Sequence, residues 1–365
     1  MLTLEGCGRR RERLLAEMAR ADCDIAVLTS PRMIYYFTGV LTDAQWPQAF
    51  ALRANGDGLL VTNREPQRAP DVRSCLYTGY TTERSFGRHT MQEELTAAMR
   101  SFAGPRRAGI EAEHAPWGLT SELDGGARNI TPILTEMRRR KDADEIEAMR
   151  AVTRLTEAGY AAAKSRIEPG MTEYQMFSII QEAINAAAGT SVELHGDFAC
   201  GTRAIRGGGP PTDRRVEAGD LYILDLFPVF EGYTCDLCRT FCAGTPTDEQ
   251  QEVWQHVLEG HDIAQRLIRP GAAARGVYRE LRAHLDSIAM TTGSFWHHAG
   301  HGVGMEGWEQ PWLNAGSDQT FVEGEVIACE PGLYHADLRG GIRLEHNYLV
   351  TANGVQALDV FPMEL

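Results

Sequence analysis

Five residues of this chain have the types and surroundings to hold metal ions: Asp225, Asp236, His301, Glu330 and Glu345. Asp225 ends the apolar run Leu221-Tyr222-Ile223-Leu224. Asp236 lies beyond a Glu231-Gly232 turn signal, inside a second β run from Tyr233 to Phe241. The pair reads as a hairpin with two carboxylates on neighbouring strands. An apolar approach buries a carboxylate, which then needs a cation or several donors. Alone, the two Asp side chains would be read as closing turns. Downstream, His301 stands between two glycines in Gly300-His301-Gly302-Val303-Gly304, where backbone and metal can approach closely. Glu330 ends the apolar stretch Val326 to Cys329 before a Pro331-Gly332 turn, and Glu345 shares one strand face with Arg343. Four carboxylates and one imidazole form an oxygen-rich set that suits two divalent ions, Mn, Co, Fe or Zn, better than a thiolate zinc site does. Bridging carboxylates can hold a water between two ions, giving a nucleophile near neutral pH.

Other candidates surround this set. Arg203 and Arg206 lie in a glycine-rich loop and read either as a bidentate clamp for a substrate carboxylate or as solvated charges. Trp308 and Trp312, with Trp296, read either as pocket walls that stack on a cationic group or as packing. His195 reads as a structural histidine near an element end before it reads as a proton shuttle. Gly207-Gly208-Gly209 is no phosphate cradle, since Pro210-Pro211 follows instead of Lys and Ser or Thr. Cys235-Asp236-Leu237-Cys238 has no second cysteine pair at zinc-ribbon spacing, so Cys235 and Cys329 are expected as small buried residues.

The elements that must position these residues fall into two groups. Early in the chain an amphipathic helix over 9–22 leads to a short buried strand, Asp24 to Thr29, and a helix or turn opened by Ser30-Pro31. A hairpin follows, Ala49 to Arg53 and Leu59 to Thr62, turning at Asn55-Gly56-Asp57-Gly58. A helix from Thr90 to Phe102, a strand near Ala108 to Glu111 and a helix from Trp117 complete an α/β layer. The basic run Met137 to Lys141 marks the boundary, as a solvated linker and helix start followed by acids that favour the helix dipole. A long helix runs to Ile167. After the Glu168-Pro169-Gly170 break, a capping-box pattern at Thr172 and Gln175 opens a helix to Ala188. Arg269-Pro270-Gly271-Ala272 looks like a second copy of that break, so both halves of this region read helix, break, helix, β pair.

The length of 365 residues is that of two domains, and the net charge of −14 argues against nucleic acid or an anionic membrane as partner. No apolar run has the length of a membrane span, and Met1 to Arg13 lacks the apolar core of a secretory signal. Eight scattered cysteines without a disulfide-like frame fit a reducing compartment, so a cytoplasmic protein is expected.

The order Asp225, Asp236, His301, Glu330, Glu345 in these contexts resembles the pita-bread metallopeptidase family, which includes aminopeptidase P, prolidase and creatinase. The Gly-His-Gly-Val-Gly run, the Glu-Pro-Gly-Leu-Tyr turn and the Arg-x-Glu near the end all match. At the start, Arg13-Leu14-Leu15, Ala26-Val27-Leu28-Thr29-Ser30 and Tyr36-Phe37-Thr38-Gly39 resemble the non-catalytic N-terminal domain of the same proteins. The resemblance therefore implies an α+β chain: a smaller α/β creatinase-type domain at 1–137 and a pseudo-symmetric pita-bread metal-binding catalytic domain at 138–365. It implies a metal-dependent hydrolase in which Asp236 and Glu345 bridge two ions, Glu330 relays a proton, and His297 and Arg343 bind substrate. It also implies a small or dipeptide substrate, since the N-terminal domain, often together with a dimer partner, narrows the cleft in prolidase-like relatives, and a homodimer is expected.

Two departures bear on function. Where the family peptidases carry a His upstream of the first Asp, this chain has Gly208, with Arg203 in place of an Asn. Where they carry a second His seven residues after the ligand His, it has Trp308. Both histidines bind substrate and move protons in the peptidases, and a leaving amine needs a proton donor. The leading expectation is cleavage of an amide-type C–N bond of the Xaa-Pro dipeptidase or aminopeptidase P kind. The alternatives are a non-peptidase C–N hydrolase or lyase acting on a small molecule, and an inactive binding scaffold.

Overall fold

The first helix starts earlier than its apolar spacing predicts, because Thr3 caps it. The Thr3 hydroxyl accepts the Gly6 amide at 3.0 Å, and α1 spans Leu4–Arg20. The computed structural model describes every residue except 44, 79–82, 84–87, 105, 106, 122, 124 and 125, and at 88 and 89 the backbone alone. Its contacts divide the chain into two compact units, Met1–Met137 and Arg138–Leu365.

In the first unit, α1 is followed by β1 (Ile25–Leu28), α2 (Pro31–Thr38), β2 (Ala49–Arg53), β3 (Gly58–Thr62) and β4 (Arg73–Leu76). Then come α3 (Arg88–Ala103), β5 (Ala108–Ile110), α4 (Trp117–Thr120), β6 (Ala127–Asn129) and α5 (Thr131–Arg139). The six strands form one sheet in the order β4-β3-β2-β1-β5-β6, with the expected antiparallel hairpin at β2 and β3. Ser30 caps α2 and Gly39 ends it in the left-handed conformation. The helix predicted from Trp117 is a single turn without a side-chain cap.

The second unit opens with α6 (Ala143–Arg166) and α7 (Glu173–Ala188), split at Gly170, whose φ of 95° only glycine adopts readily. The predicted capping box at Thr172 and Gln175 is present. Next are β7 (Glu193–Cys200), β8 (Leu221–Phe230), β9 (Tyr233–Thr234) and β10 (Leu237–Cys242). A second helix pair, α8 (Asp248–Leu267) and α9 (Ala274–Leu285), precedes β11 (Gly300–Gly302), β12 (Glu309–Trp312), β13 (Val326–Cys329), β14 (Gly332–His335), β15 (Gly340–Arg343), β16 (His346–Thr351) and β17 (Gly354–Ala357). One sheet has β8 between β7 and β10, with β9 also on β8. Another runs β12-β11-β13-β16-β17, and β14 pairs β15. Two apolar cores follow this division: α6 and α7 pack on β7, β8 and β10, and α8 and α9 pack on the strands of the second half.

Two expectations need correction. The basic run before α6 is no solvated linker. Lys141 is buried with its Nζ 2.8 Å from Glu309, and Arg138 and Arg139 pair with Glu306 and Glu325. Acids far along the chain thus turn a surface-looking cluster into internal ion pairs. The second β run is also broken. Between β9 and β10 the Asp236 backbone leaves the ladder and is held by a side chain: its amide donates to Asn347 Oδ1 at 3.2 Å, and Asn347 Nδ2 donates to its carbonyl.

Candidate metal centre

Each of the five predicted ligands is set by a local backbone device. Asp225 lies in the middle strand β8, where its cross-strand neighbours are Asp197 of β7 and Cys238 of β10. His301 lies in β11, and the glycines beside it are dictated by neighbouring strands. A Cβ at Gly300 would sit 2.0 Å from the Ala328 carbonyl oxygen, and one at Gly302 would sit 2.1 Å from that of Gln310. Asp236, Glu330 and Glu345 occupy breaks between strands, and the backbone of each is anchored. Asp236 is held by Asn347, the Glu330 amide donates to the Ala299 carbonyl, and the Glu345 amide donates to the Cys238 carbonyl.

These devices bring the five side chains together. One oxygen each of Asp225, Asp236 and Glu345 lie within 4.8 Å of one another, all in buried residues. His301 Nε2 lies 3.5 Å from Asp236 Oδ2 and 3.6 Å from Glu330 Oε1. His301 Nδ1 faces the Gly302 carbonyl at 2.9 Å. A carbonyl can only accept, so Nδ1 carries the proton and Nε2 turns its lone pair on the carboxylates, the arrangement expected of a metal-ligating histidine.

The electrostatics suit a site for cations. Asp225 Oδ1 and both Glu345 carboxylate oxygens are buried with no hydrogen-bond partner among the described residues. Burial, then the neighbouring carboxylates, push the Asp236 and Glu345 carboxyls far above their usual range. Burial raises Asp225 as well, against the pull of Arg343. Glu330 differs: burial pushes it up, but His298, His297 and His301 outweigh that and hold it below its ordinary value. Buried like charges with idle lone pairs are costly unless cations join them. The donor set therefore fits divalent ions, and no thiolate belongs to it.

Arg343 Nη2 sits 2.5 Å from Asp225 Oδ2 and 2.8 Å from Asp197 Oδ2, and its Nη1 donates to the Gly207 carbonyl at 2.6 Å. It thereby separates two carboxylates that face each other across strands. His297 donates from Nδ1 to the His298 carbonyl and accepts the Tyr334 hydroxyl at Nε2, 2.9 Å away. Burial holds the His297 imidazolium down to about 4 despite Glu330.

The remaining candidates are placed differently. The Arg203 guanidinium is committed to buried Glu173 and to the carbonyls of Phe198 and Pro210. Arg206 is exposed. Trp308 is 70% exposed, whereas the Trp312 ring lies 5.2 Å from His298 and 5.4 Å from His301. His195 pairs with Glu193 at the surface. At Gly208 a Cβ would meet Asp197 Oδ2 at 2.0 Å and Asp197 Cβ at 2.7 Å, so Asp197 fills the space beside it. Sequence reading passed over Asp197, His298, Tyr334 and Asn347. His298 Nδ1 is 3.1 Å from Glu330 Oε1, and its place beside His297 was the one available signal.

A family model described as metallopeptidase family M24 matches residues 147–352, and one described as the creatinase/prolidase N-terminal domain matches 10–152. The chain belongs to metallopeptidase family M24. It is a metal-dependent hydrolase with a creatinase-type N-terminal domain and a pita-bread C-terminal domain, as the sequence motifs imply. An Xaa-Pro dipeptidase of Pyrococcus horikoshii is 29% identical over 278 residues, covering 73% of this chain and 76% of the relative. An uncharacterized peptidase of Staphylococcus aureus is 26% identical over 95% of this chain and 97% of its own. Among solved structures, a prolidase from P. horikoshii superposes with a TM-score of 0.83 at 22% identity, covering 98% of this chain and 99% of that one. An X-Pro aminopeptidase from Thermotoga maritima has a TM-score of 0.83 at 22% identity, covering 97% and 98%.

Proposed function

We propose that this M24 enzyme hydrolyses an amide-type C–N bond in a small substrate, with Xaa-Pro dipeptides as the leading class. Two divalent ions, manganese first among those to test, would be held by Asp225, Asp236, His301, Glu330 and Glu345. The observation that carries the reading is the buried group of carboxylates, with partnerless oxygens on Asp225 and Glu345 and with His301 Nε2 3.5 Å from Asp236. Bound there, such ions would polarise the scissile carbonyl and lower the pKa of a water.

The chain's own residues then have distinct tasks. Asp236 and Glu345 would be the carboxylates shared between the ions, and an oxygen of each lies within 4.8 Å of the other and of one from Asp225. Glu330 collects a proton at its carboxylate, beside which His298 Nδ1 stands 3.1 Å away. Tyr334 fixes the His297 ring, and Arg343 bridges Asp225 and Asp197. Trp296, over Gly207 and beside Tyr334, walls the approach. As a working state we propose a cytoplasmic homodimer.

The test is turnover of Gly-Pro and of a short Xaa-Pro peptide by the metal-loaded protein, with Glu345→Ala alongside and metal content measured in both. Turnover that vanishes in Glu345→Ala supports the peptidase reading. Two bound ions without turnover would overturn it in favour of a small-molecule C–N hydrolase or lyase, the reading that Gly208 and exposed Trp308 favour. A folded protein without metal would leave only a binding scaffold.

A further inference from the structure

Every Nη hydrogen of Arg343 already has an acceptor. Nη2 donates to Asp225 Oδ2 and to Asp197 Oδ2, and Nη1 donates to the Gly207 carbonyl at 2.6 Å and to the Tyr334 hydroxyl at 3.4 Å. Nε is buried. A guanidinium grips a carboxylate with two parallel N–H groups, and every such pair on Arg343 includes one already engaged. Asp197 closes this fork from β7. Its Oδ1 accepts the Gly209 amide at 2.9 Å, which pins the carboxylate against Arg343. Its side chain stays 29% exposed, against 7% for Arg343, so a molecule arriving from solvent meets the carboxylate before the guanidinium. Trp296 stands on the same stretch of backbone. A Cβ at Gly207 would meet its ring at 3.0 Å, one residue from where a Cβ at Gly208 would meet Asp197, and the indole is 57% exposed. The loop arginines do not reverse this charge. Arg203 is committed to Glu173, and Arg206 is exposed, where solvent and salt screen it.

We propose that Asp197 is a specificity residue that sets the charge of the accepted substrate: with Arg343 engaged, the site selects a cationic end group, tolerates a neutral one and rejects a free carboxylate. The inference rests on the proposed C–N hydrolase reading, because it takes the space beside Asp225 as the place where substrate binds. A substrate carboxylate brought there meets the like charge of Asp197 and finds no open guanidinium fork to offset it. A cation meets the Asp197 carboxylate and the Trp296 ring, which attract it together. Among Xaa-Pro substrates this favours an amidated, basic or longer chain over the free dipeptide, since each moves the terminal carboxylate away or removes it.

The test is calorimetric binding, to the metal-loaded full-length protein, of three ligands that hold no Xaa-Pro bond: L-proline, L-prolinamide and the aminoethylamide of L-proline. They end in a carboxylate, a neutral amide and an ammonium. The wild type is expected to bind the aminoethylamide about tenfold tighter than proline, with prolinamide between them. Asp197→Asn keeps the shape and an oxygen for the Gly209 amide, but it removes the charge and releases an Arg343 hydrogen. Proline should then bind at least as tightly as the aminoethylamide. Trp296→Ala, at an exposed ring, should weaken the aminoethylamide and leave proline unchanged. Proline bound by the wild type as tightly as the aminoethylamide, or the wild-type order kept in folded Asp197→Asn, overturns the proposal. Turnover of Xaa-Pro peptides is scored apart. Binding in the expected order without turnover upholds the charge preference while the peptidase reading fails, and turnover with no preference against proline does the reverse.

Discussion

The two halves of the second unit repeat one backbone plan and fill it with different chemistry. In each, a helix ends at a Pro-Gly break and a short antiparallel bridge ties the break to a later segment outside the strands. The Gly170 amide bonds Val216 and the Val216 amide bonds Met171, while the Gly271 amide bonds Phe321 and the Phe321 amide bonds Ala272. Gly159 precedes the first break by the same count as Gly260 precedes the second. The residue after each of these glycines is a buried polar ring that grips the carbonyl next to a proposed ligand. Tyr160 hydroxyl bonds the Leu224 and Leu237 carbonyls, beside Asp225 and Asp236. His261 Nε2 bonds the Leu344 carbonyl at 3.1 Å, beside Glu345. The lesson is that a duplicated scaffold need not duplicate its sensitivities. Burial takes the Tyr160 phenol far above the working pH range, whereas an imidazole in the matching place can still take up a proton in acid.

The largest expected effect probes whether the halves share one centre. Asp236→Asn in the first half and Glu345→Ala in the second should each remove measurable turnover and tight metal binding, beyond the about 100-fold that outer partners reach. Retained activity in one of the two, by peptide assay and elemental analysis, would assign the centre to a single half.

Next is the strut behind Glu345. Arg239, fully buried, donates to Asp359 at 2.7 Å, to the Glu345 carbonyl at 2.6 Å and to the Phe361 carbonyl. Asp359→Ala leaves that guanidinium unpaired and should cost about 3–5 kcal/mol in urea unfolding. A loss below about 1 kcal/mol would mean that the second half holds its ligand strand by other means.

The Tyr160 and His261 pair can be separated by acid. Burial, aided by nearby His346, lowers the His261 pKa from its ordinary value to about 3. Between about 6.5 and 3 the unfolded chain binds the extra proton and the folded one does not, so stability falls as pH drops through that window. The contribution is up to about 1.4 kcal/mol per pH unit. Melting curves should show that slope reduced in His261→Gln and unchanged in Tyr160→Phe. An unchanged slope in His261→Gln would place the acid sensitivity elsewhere.

The smallest effect is expected at Trp308, whose exposure leaves little packing to lose. Trp308→Ala should change stability by less than about 0.5 kcal/mol. A rise in KM with stability unchanged would make it a substrate wall of the second half.

The gathering of these five side chains was legible in the sequence because each residue sits in a context that simple packing rarely demands, such as Gly-His-Gly or Glu-Pro-Gly. The repeated Pro-Gly breaks were legible for the same reason. What escaped were pairings across long separations. The β run breaks at Asp236 because Asn347 supplies its backbone partners, and Arg203 is taken up by Glu173, which also accepts the Cys200 and Thr212 amides. Nothing local marks Asp359 as the counter-charge of Arg239. The basic run at 138–141 misled because charge density alone does not show that Glu306, Glu309 and Glu325 wait far along the chain.

The close approach of Gly208 and Asp197 makes these two positions epistatic. A histidine restored at 208 by itself would drive its Cβ into the Asp197 side chain, at a backbone φ of 156°. A smaller residue at 197 by itself would free the space and strip Arg343 of one counter-charge. Either single step passes through a damaged intermediate, so this branch of the family is expected to keep both residues or exchange both together.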